Sequence, residues 1–281
     1  MQLYKKYLQL WKDGNVCAGF SPRLPDYAIR FWLDQLEQAL PKHTARSFLD
    51  IGAGDGRLSL LLLHAYSPQG MAIEVQVNKK AWQAAFSRYS RFELKEGLLQ
   101  DIVHEFEGKR SFDFILLAEV FEHIPPADVP AFLKALPKVL APGGTVFLTT
   151  PNYIVQGPAE KSAVWYEKEP YGHHKHYTLA EISSLLKEVG LEVQWYSFEC
   201  HKAKSILYNK WFYPISRFDA RLLNSAKIPS VLRTLYRYLS APFIFILRGI
   251  FWSLAQLVYV IEKRCSNEKT GATMMLCIKK L

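Results

Sequence analysis

The stretch Ser47-Phe-Leu-Asp-Ile-Gly-Ala-Gly-Asp-Gly56 decides how this chain is read. A short apolar run leads into glycines at 52, 54 and 56, and a helical run from Arg57 to Ala65 follows at once. Strand, tight turn and helix N-terminus form the opening unit of a doubly wound α/β sheet. Glycine suits such a turn because it takes left-handed φ angles and lets a ligand approach bare backbone. The spacing is G-x-G-x-G, whereas the dinucleotide fingerprint is G-x-G-x-x-G. Asp50, just ahead of the glycines, would repel a pyrophosphate but accept a ligand carrying an amino group.

Working outward, Gly70 to Val75 reads as a second strand with Glu74 near its end. Glu74 lies 24 residues beyond Asp50, near the spacing of the acid that accepts hydrogen bonds from ribose hydroxyls. Arg91–Glu96 reads as a third strand and Ser111–Leu117 as a fourth, apolar enough for burial on both faces. A helix from Ala127 to Leu140 stops at Ala141-Pro-Gly-Gly144, and Thr145–Thr150 is the fifth strand, running into Pro151-Asn152. Thr178 with Glu181 makes a capping box for the helix Leu179 to Val189. Leu191–Phe198 and Thr273–Ile278 are the sixth and last strands.

The glycine turn, Glu74, FDFILLAEVFEHIP and LAPGGTVFLTTPN together resemble the class I S-adenosylmethionine-dependent methyltransferases. Within them the chain resembles the ubiquinone-biosynthesis O-methyltransferase-like group. The resemblance implies a Rossmann-like, seven-stranded, mostly parallel sheet with an antiparallel last strand, here with a helical insertion between the last two strands. It implies that Asp50, Gly52, Gly54, Gly56 and Glu74 bind S-adenosyl-L-methionine, bordered by Ala118 and Glu119. Such enzymes often carry an Asp after the glycine that ends the third strand, where it bonds the adenine amino group. Here that position is Leu98, so the adenine contact is expected from backbone, Leu99 or Asp101.

Glu119, Glu122 and His123 form E-x-x-E-H just past the fourth strand, and a loop ending GHHKHYT brings His174 as a further candidate. Two carboxylates with one or two imidazoles suit Mg²⁺, Mn²⁺ or a similar divalent ion such as Zn²⁺. The pattern resembles the metal-binding motif of methyltransferases acting on ubiquinone-precursor catechols and on the 3′-terminal ribose of small RNAs. In both, the acceptor has vicinal hydroxyls that a metal can bind and acidify. Alternatively, Glu122 and His123 cap or salt-bridge a helix start. His123, then His174, is the expected catalytic base or ligand; one imidazole cannot serve as both.

The chain divides as 1–46, a helical segment expected to cover the pocket; 47–199, the methyltransferase core; 200–268, the insertion; and 269–281, the last strand. From residue 200 onward 14 Lys and Arg face three acids, a net of +11, while residues 1–199 hold 21 bases and 23 acids. Such asymmetry points to an anionic membrane or nucleic-acid partner for the last third alone. Ala241–Ile261 is 21 residues with one charge, Arg248, long enough to span a bilayer. A single crossing would separate two strands of one sheet, and an arginine at mid-bilayer costs about 2.5–3.5 kcal/mol. Arg248, Gly249, Ala255, Gln256, Glu262 and Lys263 recur near a seven-residue spacing, so the expectation is an in-plane helix with a polar stripe.

The acceptor expected is a hydrophobic or lipid-linked small molecule, methylated on oxygen at the membrane surface. RNA ribose methylation, a homodimer through the insertion, or a cofactor-binding scaffold without activity are the alternatives. The four scattered cysteines form no C-x-x-C pair, and the first residues lack an apolar run of signal-peptide length. The expected location is therefore cytoplasmic, peripheral on the cytoplasmic membrane face.

Overall fold

A computed structural model describes residues 2–12, 23–40, 47–66, 69–76, 82–83, 86–87, 89–156, 172–199, 204–225 and 227–281. In chain order the helices are α1 (Gln2–Lys12), α2 (Arg30–Ala39), α3 (Arg57–Tyr66), α4 (Leu99–Ile102), α5 (Val129–Val139), α6 (Tyr153–Gln156), α7 (Leu179–Lys187), α8 (Lys210–Asn224), α9 (Ser230–Leu239) and α10 (Ala241–Cys265). The strands are β1 (Ser47–Ile51), β2 (Gln69–Glu74), β3 (Phe92–Glu96), β4 (Phe112–Ala118), β5 (Leu140–Pro151), β6 (Leu191–Glu199) and β7 (Thr273–Lys280). They form two compact units, Gln35–Glu199 with Ser266–Leu281, and Met1–Asp34 with Cys200–Cys265.

The first unit holds one seven-stranded sheet in the order β3-β2-β1-β4-β5-β7-β6. β1 through β5 are parallel, and β7 runs antiparallel between β5 and β6. This is the Rossmann-like sheet expected from the sequence, reversing direction of strand order at β1 and β4. Residues two apart on each strand, such as Leu49 and Ile51, Ile115 and Leu117, Val146 and Leu148, share one buried face with Phe132 and Leu136 of α5. Phe48, Phe114 and Phe147 of the same strands are buried too, which accounts for the continuous apolar runs. Asn152 explains the Pro-Asn landmark: its amide donates to the carbonyls of Glu268 (2.7 Å) and Gly271 (2.8 Å), tying the end of β5 to the approach to β7. Thr178 and Glu181 exchange the two bonds of the expected capping box at the start of α7.

The second unit joins the N-terminal segment to the insertion, two stretches far apart in the chain. Leu24 and Ala28 are buried with Tyr208, Phe212, Ile244, Leu247, Phe251, Ala255 and Val258 in one core. Buried Asp219 on α8 receives Arg23 and, at 2.8 Å, the hydroxyl of Tyr236 on α9. The stripe on α10 is split between core and solvent, with Arg248, Gly249 and Lys263 exposed. Ala255 and Glu262 are buried, Gln256 accepts a 2.7 Å bond from Arg30, and Arg248 bends to the carbonyl of Arg23 at 2.6 Å. Phe243, Phe245, Ile246, Ile250, Trp252, Leu257 and Val260 are exposed as well. Periodicity separates the two faces of a helix but does not say which one meets the core.

Candidate active site

The glycine turn is pinned to β2: the Gly52 N–H donates to the carbonyl of Ile73 at 2.8 Å. Gly52 has φ +67°, and a Cβ there would lie 2.4 Å from a methyl of Val120, so backbone and side chain are in closest approach. Gly54 has φ +56°, and a Cβ there would meet nothing within 4 Å. Its open side is the kind of bare backbone a ligand can cover.

Glu74, at the carboxyl end of β2, accepts from the Gly54 N–H (2.6 Å) and from the Val75 N–H (2.7 Å). The Gln76 N–H also reaches Oε1, at 3.5 Å, so of the carboxylate's roughly four acceptor positions the one left open is on Oε2. Asp50 is buried beneath the turn, and the Ser59 hydroxyl donates to it at 2.6 Å. Burial pushes its carboxyl up to about 7; Ser59 opposes the rise and the charge of Glu74 adds to it.

A cleft of about 140 Å³ opens at the carboxyl ends of β1, β2, β3 and β4, lined by Gly52, Glu74, Val75, Gly97–Gln100, Val120 and His123 among others. That is the switch-point crevice where ligands of open α/β sheets bind. Of the expected cofactor residues, Gly52, Glu74 and Leu99 line it, while Gly54 and Gly56 build the turn beside it and Asp50 sits on β1. Asp101 is exposed on α4 outside the lining, which takes Leu98, Leu99 and Gln100 instead. Ala118 and Glu119 end β4 beside Thr149 rather than lining the cleft. Val120, Ile124 and Phe132 were not anticipated, although the rule that ligands sit past the strand ends points to the segment after β4.

Past β4 the chain bends at Glu119, whose φ is +53°. Thr149 holds that conformation: Glu119 N–H donates to its carbonyl at 2.9 Å, and the Thr149 hydroxyl donates to the Glu119 carboxylate at 2.7 Å. Glu122 turns inward and is fully buried, with the Thr150 hydroxyl on one oxygen at 2.9 Å and no hydrogen-bond partner on Oε1 among the described residues. Burial, then the neighbouring charge of Glu119, pushes its carboxyl up to about 8. His123 Nδ1 lies 3.2 Å from the Gly172 carbonyl. A carbonyl only accepts, so Nδ1 carries the proton and Nε2 of the neutral ring carries the lone pair.

The histidine brought to this pair is His173. Glu122, His123 and His173 present ligand atoms all within 4.8 Å of one another. His174 instead gives its backbone N–H to the Glu122 carbonyl at 2.8 Å and keeps its ring exposed, and Glu119 is held at Thr149. Neither joins the cluster, which corrects the four-residue set read from the sequence. His173 is itself paired with buried His176, Nδ1 to Nε2 at 2.9 Å. A single carboxylate with two imidazoles, one carboxyl oxygen lacking a hydrogen-bond partner, fits a divalent cation.

A family model described as a methyltransferase domain matches residues 25–194. The chain is 21% identical over 201 residues to a ubiquinone biosynthesis O-methyltransferase of Rickettsia prowazekii, covering 69% of this chain and 77% of that one. It is 27% identical over 202 residues to the human mitochondrial ubiquinone biosynthesis O-methyltransferase, covering 66% of this chain and 53% of that one. A solved S-adenosylmethionine-dependent methyltransferase from Archaeoglobus fulgidus superposes with a TM-score of 0.53 at 14% identity, over 98% of this chain and 99% of that one. Phosphoethanolamine N-methyltransferase 2 of Haemonchus contortus, in complex with S-adenosyl-L-methionine, gives 0.53 at 16% identity over 88% of this chain and 51% of that one. With the domain model spanning more than half of its residues, the chain belongs to the methyltransferase-domain family and is a class I S-adenosylmethionine-dependent methyltransferase.

Proposed function

We propose that the chain methylates a hydroxyl oxygen of a hydrophobic or lipid-linked small acceptor with adjacent hydroxyls. The observation that carries this reading is His123, a wall of the donor cleft, whose Nδ1 is engaged by Gly172 so that its Nε2 lone pair is available. The similarity to relatives named ubiquinone biosynthesis O-methyltransferases supports oxygen as the nucleophile and a hydrophobic acceptor.

The residues in and beside the cleft fit the donor: an open backbone at Gly54, a carboxylate at Glu74 with acceptor capacity left on Oε2, and the apolar Leu98 and Leu99. S-adenosylmethionine supplies an electrophilic methyl group on a sulfonium. Oxygen–carbon bond formation accompanies sulfonium–carbon cleavage, so the chain's task is to hold the hydroxyl in line and take its proton. His123 Nε2 takes that proton. Glu122, His123 and His173 would together hold a divalent cation, which supplies Lewis acidity toward adjacent hydroxyls. His123 is then a ligand, and the two roles are alternatives.

The test is incubation of purified protein with labelled methyl donor and separated lipid, RNA and protein fractions, with Mg²⁺ or Mn²⁺ and with a chelator. Label in a chloroform-soluble, hydroxyl-bearing product is the expected result, and loss under the chelator assigns His123 to the cation. Label in RNA alone would replace this reading by ribose methylation.

A further inference from the structure

The face of α10 turned away from its own core is apolar. Phe245 is 76% exposed and Phe243 62%, with Ile246, Ile250 and Trp252 exposed beside them. The inward face of the same helix, Ile244, Leu247, Phe251, Ala255 and Val258, is buried. A helix apolar all round is a helix with two apolar environments, and the core supplies only one. α9 runs directly into α10 at Ser240 and continues the pattern: it buries no residue, and Val231, Leu235 and Leu239 stand exposed at helical spacing. Two successive helices therefore present one kind of surface.

The charge around them has a single sign. Residues 204–265 contain ten Lys and Arg and two acids, Asp219 and Glu262, and both acids are buried. Every exposed ionic side chain of this segment is cationic, including Lys227, Arg237, Arg248 and Lys263. Exposed aliphatic and aromatic side chains among cations match an anionic bilayer, whose headgroups take the charges and whose acyl boundary takes the apolar face. RNA would be served by the cations but not by Phe245, Ile246 and Val231.

Connectivity fixes the orientation. The segment lies between β6 and β7, which pair from Leu191 with Lys280 to Glu199 with Thr273. A single crossing by α10 would place paired strands on opposite sides of the membrane. The one other long helix of the segment, α8, carries Lys210, Arg217 and Arg221 and buries its own face at Phe212, Ala220 and Leu223. α10 therefore cannot span.

We infer that α9 and α10 dock in the plane of an anionic phospholipid membrane, seating Phe243, Phe245 and Ile246 below the headgroups while Arg237 and Lys227 meet lipid phosphates. The inference stands apart from the acceptor reading, because vesicle capture needs neither acceptor nor methyl donor.

The test is co-sedimentation of the full chain with vesicles of phosphatidylcholine alone and with about one third phosphatidylglycerol. Capture about tenfold or more stronger on the anionic vesicles, falling as salt rises, is expected. The double variant Phe245→Glu/Ile246→Glu should lose capture about tenfold or more while still binding S-adenosylhomocysteine, which shows that its donor cleft is folded. A chain left in the supernatant with both vesicles, or a double variant captured as well as the parent, overturns the inference. A dimer split by the same variant without vesicle capture would assign the face to a second copy. Salt-sensitive binding of an oligoribonucleotide without vesicle capture would assign it to RNA, and either outcome overturns the membrane.

Discussion

The Ser59 hydroxyl meets the Asp50 carboxyl at 2.6 Å, with both side chains buried beneath the glycine turn. Burial raises the Asp50 carboxyl to about 7, well above the value of about 3.9 in an unfolded chain. The folded state therefore holds a proton that the unfolded state has released. The associated stability is full below about pH 4 and is lost as pH rises toward about 7, at up to about 1.4 kcal/mol per pH unit. Thermal unfolding of the donor-free protein between pH 4 and 7 should show this decline, to which the raised Glu122 carboxyl adds in the same direction, and Asp50→Asn should reduce the slope by up to about 1.4 kcal/mol per pH unit. An unchanged slope in the variant would remove Asp50 as its source.

Glu74 accepts three backbone N–H groups, from Gly54, Val75 and Gln76, and lines the cleft. Glu74→Gln replaces one oxygen by an NH₂ that opposes either Gly54 or Val75. Removing a charge-assisted acceptor costs about 1.5–3 kcal/mol, so S-adenosylhomocysteine should bind about 10- to 150-fold more weakly by calorimetry. Binding within a factor of about two would place the ribose elsewhere.

Gly52 and Gly54 share left-handed φ but differ in surroundings. Gly52→Ala adds a methyl into Val120 as well as strain, and should cost about 2–4 kcal/mol in denaturant unfolding. Gly54→Ala meets no atom and should cost only the strain, about 1–2 kcal/mol, yet weaken donor binding because the added methyl occupies the open side of the turn. Equal stability losses in the two variants would contradict the close approach at Val120.

His123 and His174 separate cleanly. His123→Ala should lower methyl transfer about 10²- to 10⁴-fold with donor affinity retained, the usual scale for a lost proton-transfer group. His174→Ala should leave turnover nearly unchanged, since its ring is exposed and its role is a backbone bond to Glu122. Comparable losses in the two would return His174 to the chemistry.

Asp219 gathers Arg23 and Tyr236 around one buried carboxylate. Asp219→Ala removes the carboxylate between Arg23 and Tyr236 and should destabilise the unit holding α8 and α9 by about 3 kcal/mol, read by denaturant unfolding. A loss under about 1 kcal/mol would show that solvent satisfies Arg23 there.

Much of the sheet was legible because its determinants are local. The Ser47–Gly56 turn, the apolar run of β4 and the Thr178–Glu181 box each carry their own geometry in adjacent residues. What escaped depends on distance along the chain. His173 rather than His174 reaches Glu122 because a loop's direction is set where Gly172 meets His123. Leu24 and Ala28 share a core with Phe212 and Phe251, a pairing no window of sequence contains. On α10, Ala255, Gln256 and Glu262 look like part of a solvent stripe, but Ala255 and Glu262 are buried and Gln256 is taken by Arg30.

Among the described residues β6 pairs with β7 alone, and β7 follows it only after residues 200–272. During synthesis β6 therefore emerges with no neighbour to accept it, and β5 keeps an open, aliphatic edge until the same late strand arrives. Completion of the sheet on the ribosome is postponed by the translation time of a whole helical unit. The basic, apolar segment is thus also a delay between two halves of one hydrogen-bonded ladder.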